Sequence, residues 1–193
     1  MYILFGLGNN EKKYFKSRHN YGHMLIDSFG EELTINDKLG VQIGRVDVDD
    51  EKIMLIKSLG FMNESGDPIS KVLNFFKLKP KDLIVAHDDI DVDFGKVQQK
   101  FGGHHAGHNG VKSIIGILKT GDFFRFRLGI RDPKFKGKYT DKYVMANFSK
   151  DQFKNLLELI KSAKKVITEF SGDLDKKTHL IVENEKQSKV TKQ

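Results

Sequence analysis

A chain of 193 residues without a cysteine has room for one sizeable core, and it excludes disulfides, thiolate catalysis and cysteine-ligated zinc. No apolar run approaches the ~20 residues that cross a bilayer, and the N-terminus lacks the features of a secretory signal, so a soluble cytoplasmic protein is expected. The net charge of +7, from 33 Lys and Arg against 26 Asp and Glu, fits either a lysine-rich solvated surface or a face for a polyanion.

Residues 2–7 read as a buried strand that enters a Gly6-Leu7-Gly8-Asn9 loop. From about Asn20 the period becomes helical, with Met24, Leu25, Phe29 and Leu33 on one face and Asn20 as N-cap. Residues 41–48 and 52–57 alternate as a hairpin around Asp49-Asp50-Glu51. Asp67-Pro68 reads as a cap and first helical position, followed by Ile69, Val72, Leu73 and Phe76 on an apolar face. Leu83-Ile84-Val85-Ala86 is a buried strand whose end delivers a His87-Asp88-Asp89 loop.

Residues 95–101 predict another strand. After Gly102-Gly103 a helix starts near Asn109, with Val111, Ile114, Ile115 and Leu118 inward. In 123–130, Phe124, Phe126, Leu128 and Ile130 face one way and Arg125, Arg127 and Gly129 the other. Ser149-x-x-Gln152 is a capping box that opens the longest helix, with Phe153, Leu156, Leu157, Ile160, Ala163, Ile167 and Phe170 on its core face. Residues 171–193 read as a polar, loosely ordered tail. Interleaved strands and helices, with one hairpin, predict a single-domain three-layer α/β/α fold on a mixed, mostly parallel twisted sheet.

Several motifs compete for the chemistry. The loop Gly6-Leu7-Gly8-Asn9-Asn10-Glu11 is half of a dinucleotide fingerprint, but Glu11 stands where the third glycine belongs. Gly102-x-x-x-x-Gly107 is followed by His108-Asn109, without the lysine and hydroxyl of a phosphate loop. His104, His105 and His108 with Asp88, Asp89 and Asp91 are metal-ligand types, but the glycines argue for a loop rather than the helix their spacing needs. No serine elbow is present, and Ser65 reads as a turn residue.

Two histidine-asparagine stations remain, Ser17-Arg18-His19-Asn20 and Gly107-His108-Asn109-Gly110. His19, at a helix start that would lower its pKa, could serve as a general base oriented by Asp88. Asn9, Asn63 and Asn109 could donate to an oxyanion or grip an amide. These groups suggest water-mediated acyl or ester hydrolysis, without a metal.

At these residues the chain resembles bacterial peptidyl-tRNA hydrolase over about residues 2–170. The blocks that carry the resemblance are Gly6-Leu7-Gly8-Asn9 with Tyr14 and Ser17-Arg18-His19-Asn20; Phe61-Met62-Asn63-x-Ser65-Gly66; His87-Asp88-Asp89-Ile90-Asp91; Gly107-His108-Asn109-Gly110-Val111-Lys112-Ser113; and Phe124-Arg125-x-Arg127-x-Gly129-Ile130. The resemblance implies a catalytic domain over 1–170 that cleaves the ester between a peptide and the 3′ ribose of tRNA, as a monomer and without cofactor. It implies His19 as base, Asp88 as its partner and Asn9 as the residue that recognises N-acylated substrates.

It further implies Tyr14, Phe61, Asn63 and Asn109 as lining of the peptide and 3′-end site, with Met62 and His108 as neighbours and Asn109 the more important of the second station. Lys100, Arg125, Arg127 and Lys134 are the candidates for tRNA phosphate contacts. The family's usual Gly-Leu-Gly-Asn-Pro-Gly is altered here to Asn10-Glu11, where Asn10 would tolerate a left-handed φ in place of the glycine. A non-catalytic RNA-binding homologue is the alternative.

Overall fold

The computed structural model describes residues 1–48 and 51–168. Its strands are β1 Tyr2–Gly6, β2 Thr34–Asn36, β3 Val41–Val48, β4 Glu51–Ser58, β5 Leu83–Asp93, β6 Val97–Phe101 and β7 Phe124–Arg131. They form one sheet in the order β2-β3-β4-β1-β5-β7-β6. The central β4, β1, β5 and β7 are mutually parallel, while β3 and β6 run against them. The mixed, mostly parallel sheet is as predicted.

The helices are α1 Tyr21–Asp27, α2 Gly66–Phe75, α3 Asn109–Leu118, α4 Thr140–Met145 and α5 Lys150–Thr168. Period-two alternation along each strand feeds two separate cores. Leu4, Ile84, Ala86, Phe126 and Leu128 pack with α1 and α5 on one face. Ile3, Phe5, Leu83 and Val85 pack with α2 and α3 on the other. The result is the three-layer α/β/α arrangement.

Local details differ from the sequence reading. Helix α1 stops at Asp27, so Phe29 is buried beyond its end rather than on its face. Asn20 precedes α1 without capping it. The Asp67-Pro68 pair lies inside α2, which begins at Gly66 because Ser113 Oγ of α3 accepts the Gly66 N–H at 3.0 Å. Strand β5 runs on through Asp93, so His87, Asp88 and Asp89 are strand residues, not a loop.

The Ser149–Gln152 box is formed in both directions. However, Phe153 and Leu157 of α5 face solvent, and Leu159 takes the inward place. The short helix α4 has no counterpart in the sequence reading. The hairpin tip 49–50, Phe170 and the tail 171–193 lie outside the described residues.

The sheet places the N-terminal loop and α1 in direct contact. A Cβ on Gly22 would meet Leu7 N at 2.5 Å and Ala86 O at 2.4 Å, so only glycine lets α1 lie this close to β1 and β5. A Cβ on Gly8 would likewise meet the His23 ring at 2.5 Å. His23 is 4% exposed, its Nε2 has no partner, and burial with a nearby Lys57 pushes its pKa down to about 3.

A histidine that is neutral in the fold but titrates near ~6.5 when unfolded stabilises fully above pH ~6.5 and progressively less as pH falls toward its folded value. The expected result is a thermal midpoint that declines as pH is lowered through this window. His23→Phe should make that decline shallower by one histidine's share, with no loss at neutral pH. An unchanged slope in thermal melts would show that His23 does not contribute.

Candidate active site

The site is built on the end of β5 that projects past β1. Pairing with β1 ends at Ala86, whereas pairing with β7 continues through Asp88 and Asp89. Asp88 lies on the same strand face as Ile84 and Ala86, two residues beyond the apolar core. A 3₁₀ turn, Arg18–Asn20, leads into α1 and brings His19 to it. His19 Nδ1 lies 2.9 Å from Asp88 Oδ1, and both side chains are buried.

The second station meets the first. His108 Nε2 also lies 2.9 Å from Asp88 Oδ1, and its ring centroid is 4.9 Å from that of His19. His108 is the N-cap of α3, where its Nδ1 accepts the N–H groups of Gly110 and Val111. That acceptor role assigns the His108 proton to Nε2, which donates to Asp88. The carboxylate likewise assigns the His19 proton to Nδ1, leaving Nε2 to face water or substrate. His87, behind Asp88, sits 4.8 Å from the His108 ring; its Nδ1 donates to Asp88 O at 2.7 Å.

The electrostatics follow from burial and these bonds. Burial alone would push the Asp88 carboxyl up, but the two imidazoles outweigh it and hold Asp88 well below the usual carboxylate range. Burial also pulls His19 down, yet the charge and hydrogen bond of Asp88, with a contribution from Asp141, leave its pKa raised above 6.5. This reverses the sequence expectation of a lowered His19 pKa. Burial beside His108 pushes His87 down to about 3, so it is a neutral spectator of charge.

A base with a raised pKa is lost earlier on acidification. The acid limb of kcat/KM against pH is therefore expected above pH 6.5, with a plateau on the basic side. Initial rates from mildly acidic to mildly basic pH would check this, and an acid limb below 6.5 would contradict it.

The glycine loop is held in a second way. Asn9 N–H donates to Asn20 Oδ1 at 2.9 Å, and Asn20 Nδ2 returns a bond to Asn9 O at 2.8 Å. Asn20 thus imitates a paired strand with its side-chain amide, in place of the expected cap. Asn9 Oδ1 accepts Met62 N–H at 2.8 Å, which orients the Asn9 amide so that Nδ2 is its remaining donor. Glu11 has φ −81° and pairs with Lys13, and Asn10 is not among the residues of positive φ. The loop therefore keeps its shape without a left-handed residue at Asn10.

Arg18 fixes the turn from behind. Its guanidinium donates to the carbonyls of Tyr143, Ala146 and Asn147 and to Gln152 Oε1, and stacks on Tyr143 at 4.2 Å. This ties α4 to His19. A cavity of about 100 Å³ opens over His19, Asp88 and His108, walled by Gly107, Asn109 and, from α4, Thr140, Asp141 and Val144.

The remaining expected residues are scattered around this centre. Asn109 is exposed at the first turn of α3 and lines the cavity, while His108 holds the more central place through Asp88. Tyr14 is half-buried, and Phe61 and Asn63 are exposed; none of the three makes a hydrogen bond to His19 or Asp88. Lys100 and Lys134 are exposed cations. Arg127 is paired with Asp89 at 2.6 Å and bonded to Gln98.

Arg125 is 4% exposed and donates both terminal nitrogens to the carbonyls of Gly103 and His104. That geometry makes it a brace for the glycine loop rather than a surface cation. Asp141, Thr140 and Val144 were missed in the sequence, as was the cap role of His108. Among the described residues, the one trio of histidine and acidic donors close enough for a metal is His19, Asp88 and His108, within 4.8 Å of one another, and not the histidine loop.

The sequence profile of the peptidyl-tRNA hydrolase family matches residues 3–190. A peptidyl-tRNA hydrolase of Mycoplasma capricolum is 38% identical over 176 residues, covering 90% of this chain and 94% of its own. One from Francisella tularensis is 39% identical over 158 residues, covering 80% and 82%. Among solved structures, the Acinetobacter baumannii peptidyl-tRNA hydrolase superposes with a TM-score of 0.77 at 26% identity over 86% of this chain and 87% of its own. A peptidyl-tRNA hydrolase in complex with N-propanol gives 0.81 at 26% identity over 94% of each chain.

Proposed function

Because the chain belongs to the peptidyl-tRNA hydrolase family, we propose that it hydrolyses the ester joining a peptide to the 3′ ribose of tRNA, returning free tRNA and peptide. The observation that carries the reading is the buried His19–Asp88 pair, whose hydrogen bond leaves one imidazole nitrogen facing a cavity. Water bound at His19 Nε2 attacks the ester carbonyl while its proton passes to the imidazole. Asp88 balances the imidazolium. Collapse of the tetrahedral adduct expels the 3′ oxygen, which takes that proton from His19.

Asn9 and Asn109 supply neutral amides. The Asn9 Nδ2 donor suits a peptide carbonyl and offers nothing to neutralise a free ammonium, which supports a preference for N-acylated substrates. Lys100 and Lys134 are proposed phosphate contacts, with Arg127 at their edge. Tyr14, Phe61, Met62 and Asn63 are proposed to line the approach of the peptide and 3′ end.

Action as a monomer is part of the same proposal. We place it in the cytosol; among the described residues no helix is long and apolar enough to cross a membrane. Release of tRNA from N-acetyl-aminoacyl-tRNA, with free aminoacyl-tRNA spared, is the expected result, undiminished by EDTA. No release from either substrate would favour a non-catalytic RNA-binding protein. Loss with EDTA would assign His19, Asp88 and His108 to a metal.

A further inference from the structure

We propose that the chain holds a single-stranded segment of its RNA substrate in a second groove, separate from the histidine loop and its basic residues. The proposal rests on tRNA being the substrate. The groove has a volume of about 350 Å³ and is lined by Lys16, Asn147, Phe148, Lys150, Phe153 and Lys154. Three of the six are lysines and none is acidic. Lys16, Lys150 and Lys154 are exposed and make no ion pair among the described residues, unlike Lys13, Lys57, Lys71, Lys96 and Lys161, each of which has a carboxylate partner.

The groove also presents an aromatic face. Phe153 is 38% exposed, and Lys16 Nζ stands 5.8 Å from its ring centroid. One turn further along α5, Leu157 is 61% exposed. These two apolar residues face outward, whereas Leu156, Leu159, Ile160, Ala163 and Ile167 of the same helix are buried. Unpaired cations around an exposed ring are the arrangement that grips a phosphodiester while a base stacks, independent of sequence.

Its position connects it to the chemistry. Lys16 precedes His19 by three residues, and Phe148 N–H donates to Lys16 O at 3.2 Å. Ser17 and Asn147 form a bridge, and Arg18 holds the carbonyl of Asn147. The groove therefore shares its floor with the turn that carries His19. Helix α4, which walls the reaction cavity, leads directly into residues 147 and 148. Residues 147 and 148 thus link the wall of the cavity to the groove.

The test compares wild type with two variants, Lys16→Glu/Lys150→Glu/Lys154→Glu and Phe153→Ala, each with an unchanged thermal midpoint. For N-acetyl-aminoacyl-tRNA the triple variant should raise KM about tenfold or more at ~0.1 M salt, leave kcat unchanged, and reduce the slope of log KM against log salt by about 2. Phe153→Ala should raise KM about fivefold. The 3′ ester N-acetyl-aminoacyl-adenosine, too short to reach the groove, should be turned over equally by all three proteins.

Unchanged KM and salt slope in both variants overturn the proposal. If wild type hydrolyses neither substrate, the enzymatic reading fails instead. Anisotropy of a labelled single-stranded oligoribonucleotide, weakened in the triple variant, would then still support the groove, and equal binding would overturn it. Loss of binding to anionic vesicles with RNA binding intact would assign the lysines to a lipid surface and likewise overturn it.

Discussion

His19→Ala is expected to lower kcat on N-acetyl-aminoacyl-tRNA by about 10²- to 10⁴-fold, the range a positioned general base contributes. KM should move little, because His19 is 6% exposed and makes its bond to Asp88, not to the walls where tRNA would lie. The acid limb of the pH profile should vanish with it, since among the described residues His19 is the one imidazole at the cavity that is paired with Asp88 and still has an unengaged nitrogen. His108 has both nitrogens engaged, one by α3 and one by Asp88. His87 is neutral, buried, and turned toward the strand. Single-turnover rates with a melting curve as control would decide. A variant that keeps near wild-type turnover would remove the mechanism.

The layers of the fold were legible because burial imposes a period. The alternation Phe124, Phe126, Leu128, Ile130 is the sheet's inner face as written. Boundaries set by neighbours were not legible. Charged residues made β5 look finished at Ala86, but β7 alone is enough to continue the ladder, and Asp88 needs no apolar cover because two imidazoles cover it. Helix α4 has six residues, none of them fully buried, and its position depends on Arg18. No local periodicity announces such an element. Phe153 and Leu157 fit the helical spacing, yet the inward stripe of α5 runs through Gln152, Leu156, Leu159 and Ile160.

At the site, residue types identified His19 and Asp88 because few other side chains offered a base and a carboxylate at strand and helix ends. The coupling of the second station was hidden by the flexibility of the loop before α3. One signal was available. Helix α3 starts after Ala106-Gly107-His108, with no serine, threonine or aspartate to cap it. His108 is the side chain there with an acceptor, and filling that role with Nδ1 leaves Nε2–H seeking a carboxylate. Asn20 misled for the complementary reason: it sits where a cap belongs, but its amide is used on Asn9, eleven residues away.

Asp88→Asn separates orientation from charge. The amide keeps the shape of the carboxyl and can still accept, so the site should assemble, but the negative charge that balances the His19 imidazolium is gone. A fall in kcat of about 10³- to 10⁴-fold is expected, as for the loss of the orienting carboxylate in other histidine-based hydrolytic sites. The sign of the accompanying pKa change is what makes the result diagnostic. Burial lowers His19, and Asp88 is the main influence that reverses it. Without that charge, burial prevails and the residual activity should show its acid limb below pH 6.5, shifted down from wild type.

A merely misfolded site would lose activity without moving that limb. The same substitution alters stability in a fixed direction. A carboxylate held below its ordinary pKa contributes above pH ~3.9 and loses that contribution as pH falls through the folded value. The difference in thermal midpoint between wild type and Asp88→Asn should therefore widen as pH falls below ~6.5, where a raised His19 pKa stabilises wild type and a lowered one destabilises the variant, and shrink only below pH ~3.9 as the contribution of Asp88 is lost. A gap that stays constant with pH, or an acid limb that stays in place, would mean that Asp88 acts on His19 by packing alone.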